Sequence, residues 1–218
     1  MSEQLTIWGR ATSANVQAVM WLVGELSLPH RRIDCGHVFG GLDTPEFRAM
    51  NPHGRIPVIR DGDGPAIFES AAILRYLSAR YAPGTAYWPE DPAQRAQLDM
   101  WAEWAKVSLG PAFTMPIFWA TVRTPPSQRE PTAITAAVGR FEALAARFLD
   151  ALDGRDYLGG DGLSLADIQV GHMLFRYYTM DIERGSLPAL RAYYDRLTAR
   201  PAYREHIMVD YEVLRATD

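Results

Sequence analysis

Residues 51–70 read NPHGRIPVIRDGDGPAIFES, and the rest of the chain is organised around them. Asn51-Pro52-His53-Gly54 is a turn, built from residues that tolerate unusual backbone angles. Ile56-Pro57 leads into the short apolar run Val58-Ile59, Asp61-Gly62-Asp63-Gly64 has the composition of a hairpin connection, and Ala66-Ile67-Phe68 forms a second run. Glu69-Ser70 then opens a helix with Ile73, Tyr76 and Leu77 at helical spacing. A proline at the entrance to a strand cannot donate to a ladder. A cis Ile56-Pro57 bond would leave the N–H and C=O of Ile56 free to pair with an extended peptide. One hairpin away, Ser70 stands at a helix N-terminus, where free N–H groups favour a carboxylate, and Glu69 beside it can hold an ammonium. Peptide-pairing backbone next to an amino-acid zwitterion site points to a small γ-linked peptide.

At these residues the chain resembles the cytosolic glutathione transferase family, of the serine type (theta, delta, zeta or bacterial beta-like). The Asn-Pro-x-Gly-x-x-Pro turn, the strand entered at Pro57 and the Glu69-Ser70 helix start match that family's glutathione site in order. The resemblance implies glutathione as co-substrate, held by Thr12, His53, Arg55, Ile56, Pro57, Glu69 and Ser70. His53 fills the variable position of the turn.

The chain has 218 residues, 48% hydrophobic and 22% charged, which is ordinary globular composition and enough for one or two cored domains. A net charge of −4 without a basic stripe excludes nucleic acid from the expected partners. The single cysteine, Cys35, rules out an internal disulfide framework and fits a reducing compartment. The polar start Ser2-Glu3-Gln4 carries no signal-peptide pattern, and no apolar run reaches membrane-spanning length. The expected location is cytoplasmic. No His, Cys or acidic cluster has metal-ligand spacing, so no metal is expected.

Around the decisive stretch, Leu5–Trp8 reads as a strand. Val16, Val19, Met20, Val23 and Leu26 mark one face of a helix, and His30–Cys35 reads as a second strand. Thr44-Pro45 starts a short helix with proline at its first position. The order is β-α-β-α-β-β-α, which in the resembled family is a thioredoxin-like domain. The expected division is residues 1–81 for that α+β domain, a Pro/Gly-rich linker at 82–92, and an all-α helical domain at 93–218. In the last, Leu98, Trp101, Ala102, Ala105 and Leu109 form a helical stripe that Gly110-Pro111 is expected to kink or break. Ile134 to Leu152 make a long helix closed at Gly154. After the glycine-rich loop 159–162, Ser164 with Asp167 forms a structural capping box, opening a helix that carries Ile168, His172, Phe175 and Tyr178.

A redox-active thioredoxin-like domain needs Cys-x-x-Cys at its first helix. Here that place reads Ser13-Ala14-Asn15-Val16, so no internal dithiol cycle can run. The resemblance puts the catalytic hydroxyl on Ser13, with Thr12 as the alternative, while the competing reading makes Ser13 a plain helix cap. A serine hydroxyl is too weak a base to deprotonate a thiol, but it can donate a hydrogen bond to the thiolate. That thiolate then attacks an electrophilic carbon. The family places the small hydrophobic electrophile between the domains, so Trp104, Phe113 and Trp119 are expected to contribute to its pocket, although aromatics at such spacing are more often core. His172 is expected to be a satisfied core histidine. The resemblance also implies a homodimer. Two readings compete with the transferase: a glutathione-binding member without turnover, and a glutathione-dependent reductase, for which Cys35 is the one available thiol.

Overall fold

The computed structural model of the chain describes residues 4–160 and 162–218, so Met1, Ser2, Glu3 and Asp161 lie outside the described residues. Alternation along β1 (Leu5–Trp8) buries Leu5 and Ile7. Next come α1 (Ala14–Glu25), β2 (His30–Ile33), α2 (Pro45–Met50), β3 (Val58–Asp61), β4 (Ala66–Phe68) and α3 (Ser70–Tyr81), in the order expected. The sheet runs β2-β1-β3-β4, with β1 parallel to β2 and antiparallel to β3, and β3 antiparallel to β4. A parallel pair needs a crossover connection, and α1 supplies it. α2 starts as its sequence dictates, with Pro45 in the first turn and the Phe47 N–H donating to Thr44 Oγ1 at 3.2 Å.

After the connection at 82–91 the described chain is helical: α4 (Pro92–Trp104), α5 (Gly110–Phe113), α6 (Pro131–Leu152), α7 (Leu165–Gly171), α8 (Leu174–Thr179), α9 (Pro188–Thr198) and α10 (Pro201–His206). Gly110-Pro111 does not break the first of these. Gly110 keeps helical angles (φ −58°, ψ −50°), and the chain stays helical to Arg123. The segments Ala105–Leu109 and Thr114–Arg123 wind in wider π turns on either side of the proline. Such a shift of hydrogen-bond register accommodates a residue that has no N–H to give. The stripe through Ile168 and Tyr178 is divided between α7 and α8, which part at His172 and Met173.

One core runs through the sheet side and the helical side, and α1 lies in the middle of it. Every residue from Val16 to Val23 is buried. Such a helix, buried all round, must be covered on more than one face. Trp21 stacks edge-on against Tyr203 of α10 with ring centroids 4.8 Å apart. At the C-terminal end of α1, Glu25 accepts a two-pronged bond from Arg200, Nε to Oε1 at 2.8 Å and Nη2 to Oε2 at 2.6 Å, and also accepts from Trp21 Nε1 at 2.9 Å. A Cβ at Gly171 would strike Trp21 and Leu197, so glycine lets α7 approach α1 closely.

The capping box forms at α7. Ser164 Oγ accepts from the Asp167 N–H, and Asp167 accepts from the Ser164 N–H at 2.8 Å. Asp167 is completely buried and also takes bonds from the Leu158 N–H at 3.2 Å and Tyr193 Oη at 2.9 Å. Asp167→Ala would orphan these buried donors together. Loss of a buried network of this kind is expected to cost about 3–5 kcal/mol of unfolding free energy. Ser164→Ala, which removes one cap acceptor, is expected to cost about 1 kcal/mol. Urea denaturation of both variants checks the ordering; equal costs would mean that Asp167 does no more than cap the helix.

Candidate active site

The register Trp8↔Val58 sets the end of β1 beside the entrance to β3. Trp8 therefore delivers the loop 9–13 next to Ile56-Pro57. A Cβ at Gly9 would run into Val16 and touch Ile56, so only glycine lets the loop pass between them. The Ile56–Pro57 bond is cis. Ile56 makes no backbone hydrogen bond among the described residues. Asn51 fixes the turn ahead of it, its Nδ2 donating to the Arg55 carbonyl at 2.8 Å and its Oδ1 accepting from the His53 N–H at 3.0 Å. The Arg55 side chain is exposed, and the exposed His53 has its ring edge-on to Phe68.

Ser13 takes the N-cap position of α1 with extended angles, yet its hydroxyl makes no capping bond. The side chain lines a cavity of about 420 Å³ between the sheet side and the helical side, together with Thr12 and Asn15. Uncapped first-turn N–H groups at the same spot favour negative charge. The Thr12 carbonyl is held from the other side of the cavity by Arg176 of α8, whose Nη2 donates to it at 2.8 Å and to Gln17 Oε1 at 3.1 Å.

Glu69 and Ser70 meet this arrangement from below. Glu69 is exposed with φ +68°, a conformation uncommon for a residue with a Cβ. Ser70 is 2% exposed, and Lys106 reaches it from the helical side, Nζ to Oγ at 2.8 Å, while also donating to Asn15 Oδ1 at 2.9 Å. Burial lowers the Lys106 pKa, and the carboxylates of Glu69 and Glu103 oppose that. An ammonium, a serine hydroxyl and a helix N-terminus thus converge on one point suited to a carboxylate. Asn15, Lys106 and Arg176 were not anticipated. Their partners are 55, 36 and 164 residues away in sequence, so no local pattern marks them.

Of the aromatics expected in the electrophile pocket, Trp119 lines the cavity. Phe113 is 2% exposed and packs against Phe141, and Trp104 packs edge-on against Trp101; neither lines it. The π turns rotate successive side chains by less than an α-helix would, and Phe118 and Arg123 join Trp119 on the cavity wall. His172 lines the cavity too, with Nδ1 3.2 Å from the Ile168 carbonyl. Burial, with Lys106 adding to it, pushes its pKa down to about 4, so the ring is neutral at neutral pH.

A family model described as Glutathione S-transferase, N-terminal domain, matches residues 12–80, and one described as Glutathione S-transferase, C-terminal domain, matches residues 111–201. The chain is 35% identical over 206 residues to Glutathione S-transferase GstB of Escherichia coli (strain K12), a match spanning 94% of this chain and 98% of that one. It is 26% identical over 202 residues to Disulfide-bond oxidoreductase YfcG of the same strain, spanning 88% and 89%. The crystal structure of the theta class glutathione S-transferase from Xanthomonas axonopodis pv. citri with glutathione bound superimposes with a TM-score of 0.87 at 40% identity, covering 96% of this chain and 99% of that one.

Cys35 does not line the cavity, is 7% exposed, and packs with Phe47 and Val58 in a small separate core. Burial pushes its thiol up to about 11, with Asp34 adding to the shift, so it stays protonated at neutral pH. With such a pKa the thiolate fraction at pH 7 is on the order of one in ten thousand. Native protein is therefore expected to resist iodoacetamide at pH 7 and to react faster as pH rises toward 11, whereas urea-denatured protein reacts readily. Prompt stoichiometric alkylation of the native protein at pH 7, followed by mass spectrometry, would contradict this.

Proposed function

The chain belongs to the glutathione S-transferase family, and we propose that it activates the glutathione thiol through Ser13 for attack on a small electrophile held against Phe118 and Trp119. The observation that carries this reading is the unengaged Ser13 hydroxyl, at the mouth of α1 and on the wall of the cavity. In this reading Ile56 pairs with the tripeptide backbone. Ser70 and Lys106 hold the γ-glutamyl carboxylate, Glu69 takes the ammonium, and His53, Arg55, Pro57 and Thr12 frame the peptide. Residues 1–81 are the glutathione-binding domain, 82–92 the linker and 93–218 the helical domain.

The chemistry follows from charge. Only the thiolate is strongly nucleophilic, and a free thiol has a pKa near ~8.5. The Ser13 O–H donates to the thiolate, and the α1 N-terminus adds favourable potential there. The sulfur then forms a bond to the electrophilic carbon as the leaving group departs with its electron pair. A reductase working through Cys35 is disfavoured by that thiol's burial and raised pKa. The natural setting we propose is detoxification of electrophiles in the cytoplasm. Among the described residues no helix is long and apolar enough to cross a membrane.

We also propose a homodimer, a reading supported by the exposed apolar side chains of Val38, Phe39 and Met100, which pairing would cover. Light scattering should give twice the chain mass at micromolar concentration; the mass of one chain would count against it.

The catalytic test is a pH–rate profile with a slowly reacting electrophile. Ser13 stabilises the deprotonated form of the thiol, so Ser13→Ala should raise the bound thiol pKa. One unit is about 1.4 kcal/mol. The deficit should be at least tenfold near neutral pH and shrink above the wild-type thiol pKa, while glutathione affinity stays close to wild type. Overlay of Ser13→Ala with wild type, and a shift in Thr12→Ala, would move the role to Thr12.

A further inference from the structure

The wall of the cavity carries four basic side chains, Arg10, Lys106, Arg123 and Arg176, and among the described residues no aspartate or glutamate lines it. None of the four is ion-paired within the described residues. Lys106 is committed to Ser70 and Asn15. Arg176 gives its Nη2 to the Thr12 carbonyl and Gln17, which leaves the rest of its guanidinium, with those of Arg10 and Arg123, on the cavity wall.

Their surroundings are unusual for cations. Arg176 is 5% exposed, and its buried Nε has no hydrogen-bond partner. Arg10 Nε is likewise buried and unpartnered. Arg176 lies over the Phe118 ring at 4.4 Å, and Arg123 lies over Trp119 at 4.3 Å. Aromatic faces soften the cost of burying a cation but do not neutralise it. The groups also feel one another: burial and Arg123 lower the Arg10 pKa, and burial lowers that of Arg176 to about 10, with Arg10 and Arg123 adding to the effect. His172, neutral at working pH, contributes no charge. With the γ-glutamyl carboxylate and ammonium met at Ser70, Lys106 and Glu69, the thiolate and the glycyl carboxylate of glutathione bring two negative charges against three guanidinium groups, which leaves the wall positive.

We propose that the second substrate is an electrophile that carries its own anionic group, a carboxylate or similar oxyanion, seated on Arg10, Arg123 and Arg176 with its apolar body against Phe118 and Trp119. The inference rests on the transferase reading above and names the substrate class of that site. The planar guanidinium fork matches a carboxylate in two-pronged geometry. Neutralising the acid group also removes the repulsion that an anionic electrophile would otherwise meet from the thiolate. With a chloromethyl arene, the sulfur forms the new C–S bond and the C–Cl bond breaks, chloride leaving with the electron pair. Charge is conserved, and no oxidant or reductant is needed.

The test compares 4-(chloromethyl)benzoate with its methyl ester, each corrected for its uncatalysed reaction with glutathione. Wild type should favour the acid at least tenfold in kcat/KM. Arg123→Gln, whose side chain holds no part of the fold by hydrogen bond, should cut the acid-to-ester ratio about tenfold, mainly through KM. An ester used as well as the acid would overturn the inference and leave the transferase reading intact. A second arm needs no turnover: calorimetric binding of the unreactive 4-methylbenzoate and 4-methylbenzamide in the presence of glutathione. The acid should bind at least tenfold tighter, and equal binding would overturn the inference. Turnover of neither electrophile, with the acid still preferred in binding, would overturn the transferase reading and leave the anion site standing.

Discussion

The structure depends on the burial of α1 on both of its sides. The helix bridges the parallel strands β1 and β2, but it is also enclosed by the helical domain. Two arginines of that domain hold its ends. Arg200 grips Glu25 at the C-terminus, and Arg176 grips the Thr12 carbonyl and Gln17 at the N-terminus. The apolar surface between these points, centred on Trp21, makes the association hydrophobic first, and the arginines set its register. The mouth of α1 is thereby fixed at the seam between domains, so that a helix terminus and a hydroxyl face a cavity whose far wall belongs to another part of the chain.

This construction separates the tasks of the site. The sheet side offers backbone and small polar groups, Ile56, Ser13, Asn15 and Ser70, with Arg10 as its basic side chain on the cavity wall. In the proposed function the small polar groups recognise the peptide and stabilise the sulfur anion. The helical side offers charge and aromatic surface: Lys106, Arg123, Arg176, Phe118 and Trp119. Lys106 crosses the seam to Ser70, so the polar corner at Ser70 is completed by the other domain. Substitutions in the π-wound segment can therefore alter one wall of the cavity while the side built on Ile56 and Ser70 stays constant.

Local chemistry was legible in the sequence. The turn at Asn51–Gly54, the proline that enters β3, the hairpin at Asp61–Gly64, the Thr44-Pro45 start and the Ser164–Asp167 box each draw on groups a few residues apart, and each took its expected form. The wide turns around Pro111 were not legible. A missing N–H can be met by a break or by a change of hydrogen-bond register, and the surrounding packing decides which. Lys106 and Arg176 were hidden for a related reason. A basic residue on a helix is usually a solvated one, and only the docking of the two domains takes these side chains to Ser70 and Thr12. Of the aromatics Trp104, Phe113 and Trp119, the sequence could not tell which face the cavity, since helical phase beyond Ala105 cannot be counted in steps of ~3.6 residues through the π turns.

The central claim is that the seam presents the Ser13 hydroxyl to the glutathione sulfur while Ser70 and Lys106 hold the far end of the tripeptide. A crystal structure of the protein soaked with glutathione tests this most directly. The sulfur is expected within hydrogen-bonding distance of Ser13 Oγ, the tripeptide backbone paired with Ile56, and the γ-glutamyl carboxylate against Ser70 Oγ and Lys106 Nζ. A sulfur turned away from the mouth of α1, or held by Thr12 with the Ser13 hydroxyl unengaged, would contradict it.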